Sequence, residues 1–294
     1  MNTRSPAADQ ATEPALQEGW VDSFQRYVAL FGGMIATSLL MSLAAGWMIS
    51  LRGVSGPAIS VVIEPISAVL VLAACLLASL GVAIVVGRLV NPAVATFVLG
   101  WGLAALAMRS GTHLDLLFAG ATGPVVAVET FIWGAAILGL AAVIFRFTGP
   151  LPDQPSASPA AVIDPRVIFG SVSLRSALAG GLTLVAIFFV ATNDTKGQAI
   201  FAATLGGVLA GLAGRMLAPR LQPVLIFATP CVFIALAQLW AFSGDEAQQV
   251  SNWVVGRGSA FGIPTPLDAA AGALMGVSAG IGWSRGFVEQ HRAD

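Results

Sequence analysis

Long uncharged apolar runs, broken by short polar stretches, dominate this chain. The clearest is Pro65–Gly87, 23 residues bounded by Glu64 on one side and Arg88 on the other. As a helix rising 1.5 Å per residue it is about 34 Å long, which spans a bilayer's hydrocarbon core with a modest tilt. Looser runs of the same kind cover Val28–Leu51, Pro92–Met108, Val125–Phe145, Ser176–Thr192, Gln198–Gly214, Val224–Phe242 and Asp268–Trp283. The pattern predicts an all-α integral membrane protein with about eight transmembrane helices arranged as four helical hairpins.

The breaks between runs set the organisation. Residues 1–27 read as a polar tail ending in a short interfacial helix, with Trp20, Phe24 and Tyr27 at headgroup level. They lack the basic start and small-residue cleavage site of a secretory signal. Residues 28–147 form a first membrane half of four spans. Residues 148–175 form a linker in which Pro150, Pro152, Pro155, Pro159 and Pro165 deny a packed helix. A second half of four spans covers 176–288, and 289–294 is a short tail. Two longer loops, Arg109–Pro124 and Ser243–Pro266, lie at corresponding places in the two halves.

Charge orients this plan. With eight spans, both termini share a side, and that side carries ten arginines against three arginines and Lys196 on the other. The positive-inside rule then places both termini in the cytoplasm, most simply beneath a prokaryotic plasma (inner) membrane. Each even-numbered span carries an acid near its outer start (Glu64, Glu129, Asp194, Asp268) and an arginine at its inner end (Arg88, Arg146, Arg215, Arg285). Gly87-Arg88-Leu89 recurs as Gly214-Arg215-Met216, and Ser110-Gly111 as Ser243-Gly244. These short words suggest a 4+4 tandem repeat. Helix dipoles and the positive-inside rule would generate much of the same charge pattern without duplication.

Composition narrows the chemistry. Only 10% of residues are charged, against about 25% in soluble domains, and the net charge of −1 leaves no basic footprint for nucleic acid. Cys75 and Cys231 sit inside apolar runs and read as small hydrophobes. The two histidines, His113 and His291, lie outside those runs, so neither haem nor zinc ligation within the membrane is expected. No cofactor, metal site or catalytic residue is predicted.

Glu129 lies more than one turn inside the fourth span, where a carboxylate facing lipid would cost a few kcal/mol. It therefore heads the candidates for a substrate or ion pathway, followed by Glu64, by Thr229 of the Thr229-Pro230 kink, and by Gln238. Asp194 and Asp268 read as helix caps, and His113 with Asp115 as a solvated loop. Gly207 and Gly211 on the sixth span, with Gly272, Gly276 and Gly280 on the eighth, mark faces for close helix packing. The functional expectation is a small-solute or ion transporter with outer-side carboxylates. The alternative is a non-catalytic membrane subunit or scaffold docking partners through its glycine faces. Expected partners are the lipid bilayer and a membrane protein or a second copy of this chain.

Overall fold

The computed structural model describes residues 20–154, 164–242 and 246–293. Among these it is all-helical, with isolated bridges Ile49↔Ser55 and Ser50↔Val62 in one loop. The helices used below are α1 (Trp20–Ala44), α2 (Pro65–Leu89), α3 (Pro92–Arg109), α4 (His113–Phe118) and α5 (Gly123–Thr148). They are followed by α6 (Ser171–Val190), α7 (Lys196–Leu217), α8 (Thr229–Ala241), α9 (Glu246–Val254) and α10 (Pro266–Ala293).

Local chemistry sets the boundaries. Pro65 opens α2 and Pro92 opens α3, where the missing N–H costs nothing. The α2–α3 turn is tight because Asn91 caps α3, its side chain accepting from the Val94 amide at 3.0 Å. A 3-10 turn, Ile59–Val61, and the extended Val62 precede α2, so the helix starts at Pro65 and Glu64 lies exposed before it.

Among the described residues, six helical stretches are long and apolar enough to cross a membrane: Ser23–Trp47, Pro65–Leu89, Pro92–Arg109, Gly123–Thr148, Ser171–Val190 and Lys196–Leu217. Leu225–Ala241 is apolar but shorter. The eighth expected run falls on α10, which is absent from this set for a physical reason. Its residues 266–277 are all buried by protein, so it carries Ala and Gly in place of the large apolar side chains that a lipid-facing helix displays.

α10 is the axis of the fold, packed by α7, α3 and α5. A Cβ on Gly276 would lie 2.1 Å from the Thr204 carbonyl and one on Gly280 2.2 Å from that of Val208. One on Gly207 would lie 2.7 Å from the Gly272 carbonyl. The α7 and α10 backbones therefore touch, giving a dispersion-rich contact that only glycine permits. On the opposite side Gly100 of α3 closes on Leu274 and Met275, and the Thr96 and Ser278 hydroxyls share a 2.7 Å hydrogen bond.

The outward surface is apolar. On α1, Phe31, Ile35, Leu39 and Leu43 recur every fourth residue, each more than half exposed. α2, α5 and α6 present Leu70, Phe131 and Phe189 in the same way. Such a surface fits a polytopic membrane protein in contact with a lipid bilayer.

Candidate functional site

The candidate pathway residues divide into three places. Glu64 is exposed and makes no side-chain cap. Thr229 is buried near the start of α8. Glu129 and Gln238 belong to a line of polar groups on four helices, three hydrogen-bonded clusters that follow one another through adjacent backbone residues.

That network begins at Glu129, 8% exposed, whose two carboxylate oxygens accept the backbone amides of Ile59 (2.7 Å) and Ser60 (3.0 Å). The carboxylate thus ties the loop before α2 onto α5. A lateral cleft of 470 Å3 between α2 and α5 opens beside it, lined by apolar residues such as Leu72, Ile132 and Trp133. The next residue, Thr130, donates to Gln238 Oε1 at 2.7 Å, and Gln238 Nε2 donates to the Pro264 carbonyl at 2.9 Å. Gln238 is fully buried, and these two bonds satisfy both ends of its amide.

Beyond Pro264 the network becomes ionic. Thr265 and Asp268 form a reciprocal cap on α10: Asp268 Oδ2 accepts from the Thr265 amide at 2.9 Å and hydroxyl at 2.8 Å. Asp268 is 0% exposed. Lys196 Nζ lies 3.0 Å from both of its carboxylate oxygens and donates to Thr265 Oγ1 at 3.2 Å. Lys196 is the first residue of α7, where a cation opposes the helix dipole. Asp268 offsets that, and the buried carboxylate is compensated by the lysine charge.

Sequence reasoning missed Lys196, although it is the chain's one lysine among thirteen arginines. It also misread His113, which is not part of a solvated loop. It opens α4, is 1% exposed, and stacks on Phe242 (4.9 Å) and Trp253 (4.7 Å), so α4 and α9 cover this end together. Burial, then the nearby Lys196 charge, push its imidazole down to about 3, and neither ring nitrogen has a protein partner. Asp194 caps α4 rather than its own turn, accepting from the Thr112 hydroxyl at 2.6 Å and the Leu114 amide at 3.1 Å. The physical reason is chain crossing: α4's free amides lie against the α6–α7 turn, and sequence spacing carries no record of that.

Thr229 sits where two helices are irregular. Its hydroxyl returns to the Ile226 carbonyl at 2.9 Å, and a Cβ on Gly180 would meet its side chain at 2.5 Å. Gly180 lies in a 3-10 stretch of α6, Leu178–Gly181, and α8 is itself preceded by a 3-10 turn, Leu225–Phe227. Thr183, one turn along α6, is fully buried with an unpartnered hydroxyl. At the arginine-bearing end, Arg215 is 1% exposed, pairs with Asp153 and donates to the Leu221 carbonyl at 2.9 Å. Residues 151–154 of the expected linker are therefore docked onto the second half. Pro155 and Pro159, like Ser243-Gly244, lie outside the described residues.

Among the described residues no group of three or more His, Cys, Asp or Glu could hold a metal ion. No family model, curated protein or solved structure matches this chain.

Proposed function

We propose that this protein is a small-solute or ion permease of a prokaryotic plasma membrane, with the Lys196–Asp268 pair on its pathway. The supporting observation is that pair itself: a fully buried carboxylate and a partly buried lysine at the helix ends where α7 meets the central α10. Ionisable groups are costly inside an apolar bundle and commonly mark ion or proton routes. Glu129 and Gln238 extend the polar line toward α5, while the meeting of the α6 and α8 irregularities at Gly180 and Thr229 supplies a hinge. Glu64 drops to a surface role.

The wider plan in this reading has eight crossings, four hairpins and both termini in the cytoplasm. Its support for a 4+4 repeat is pairwise: α3 packs on α10, and α8 on α5, contacts that exchange when the halves are swapped. A short helix also follows the third and the seventh span, α4 and α9. The test is ion and proton flux in liposomes carrying the purified chain. Asp268→Asn is expected to reduce flux to the level of empty vesicles, and unchanged flux in that variant would remove the pair from the pathway.

A second reading, a non-catalytic membrane subunit, is favoured by one observation: the unbroken exposed apolar stripe on α1. Purification in mild detergent separates the two. A stoichiometric partner bound along α1 supports the subunit, and a chain that purifies without one supports the permease.

A further inference from the structure

The cleft of 470 Å3 between α2 and α5 is walled by one face of each helix, with Leu72 and Leu76 of α2 against Ile132 and Trp133 of α5. Glu129, four residues before Trp133, falls on the same face of α5. Among the described residues that line the cleft, Glu129 alone is charged. Ala73 and Ala136 also line it and are exposed, so short side chains leave it open. Its volume falls within the range of about 300–1,000 Å3 typical of small-molecule pockets.

We propose that this cleft binds a hydrophobic organic monocation, with the charge at Glu129 and the apolar body against Leu72, Ile132 and Trp133. Charge complementarity names that occupant. Glu129 is 8% exposed, and among the described residues no lysine, arginine or histidine pairs with it. The Ile59 and Ser60 amides each bond one of its oxygens, but they are neutral donors and leave its negative charge uncompensated. A carboxylate has about four acceptor sites, so two bonds do not exhaust it. Asp268, also buried, has Lys196 at 3.0 Å, whereas Glu129 has an open cleft in place of such a partner. A buried charge without a counter-charge is costly, and a ligand cation offsets that cost. The walls disfavour a small hydrated ion, which would lose water to apolar side chains without gaining ligands. Trp133 instead offers an aromatic surface to an organic cation. Binding here is independent of the permease reading, since it requires no passage by the Lys196–Asp268 pair.

Equilibrium dialysis of the full chain in detergent tests this, with empty micelles as the baseline. The probes are methyltriphenylphosphonium, a cation, and triphenylphosphine oxide, a neutral molecule of similar shape. The wild type is expected to bind the phosphonium about tenfold or more tighter than the oxide, as one charge contact in a partly desolvated site provides. Tetramethylammonium, which has the charge without the rings, should not compete. Glu129→Gln should bind the two probes alike. Ala136→Phe keeps Glu129 and its amide bonds and fills the cleft from an exposed position. It should bind neither probe while melting as the wild type does. Lys196→Gln/Asp268→Asn should bind the phosphonium as the wild type does, so failure of the permease reading leaves this result intact. Equal binding of the two probes by the wild type, the result expected of a groove for acyl chains only, overturns the assignment. So does wild-type binding by Ala136→Phe, or an undiminished preference for the cation in folded Glu129→Gln.

Discussion

At Glu129 the structure adds a second role to the one read from the sequence. Its depth in an apolar run made it the leading pathway acid, and it is indeed buried, but both its oxygens are engaged by the amides of Ile59 and Ser60. A carboxylate holding two N–H donors is a clamp. Glu129→Gln would turn an amide NH2 toward one of those donors, so a loss of about 1–3 kcal/mol is expected in thermal unfolding in detergent. Asp268 has the opposite history: it read as a simple cap, it is one, and Lys196 makes it an ion pair as well. His113 carries the clearest pH prediction. Its folded imidazole titrates near 3 and an unfolded one near 6.5, so between those values the unfolded chain binds the extra proton. Stability therefore falls as the pH drops through that window and is independent of this group above it. His113→Phe, which keeps the stacking on Phe242 and Trp253, should flatten the slope of melting temperature against pH and should not destabilise the protein at pH 7. An unchanged slope in that variant would show that the cost of acid lies elsewhere.

At the scale of helices, much was legible and the reasons are specific. Pro65 and Pro92 mark helix starts through their missing N–H groups, and uninterrupted apolar length identifies α2 at once. The α7–α10 contact was foreshadowed by Gly207, Gly211, Gly272, Gly276 and Gly280, since spacing of four puts glycines on one face whatever the neighbour. Spacing could not say which partner closes on that face. Nor could it say that α10 is enclosed by protein, because an Ala- and Gly-rich run reads as a weak membrane span until its neighbours are known. Substitutions separate these cases. Gly276→Leu must push Thr204 away and should cost about 3 kcal/mol or more, whereas Gly282→Leu faces open space and should leave the melting temperature within about 1 °C of wild type. Equal effects of the two would mean that α7 and α10 are not in backbone contact.

As a whole, the molecule is a close-packed helical core organised on α10, with an apolar exterior and a line of polar groups that runs from α5 to α7. The same line explains why chemistry was harder to read than architecture. Thr130, Gln238, Pro264 and Lys196 are remote in sequence, and only the crossing of α5, α8 and α7 over the start of α10 brings them together. Arg215, by contrast, is buried by its pairing with Asp153, so an arginine that fits the positive-inside pattern also clasps the segment between the halves. The role proposed for the Lys196–Asp268 pair is in transport and not in folding alone. Replacing both charges at once removes the burial penalty together with the attraction, so Lys196→Gln/Asp268→Asn should stay folded. The most direct measurement is proton and monovalent-cation flux into liposomes containing wild type or this double variant, with melting temperatures recorded beside it. Flux is expected in the wild type and none above empty liposomes in a double variant that melts normally. Flux at the wild-type rate in the folded double variant, or no flux from the wild type itself, would contradict it.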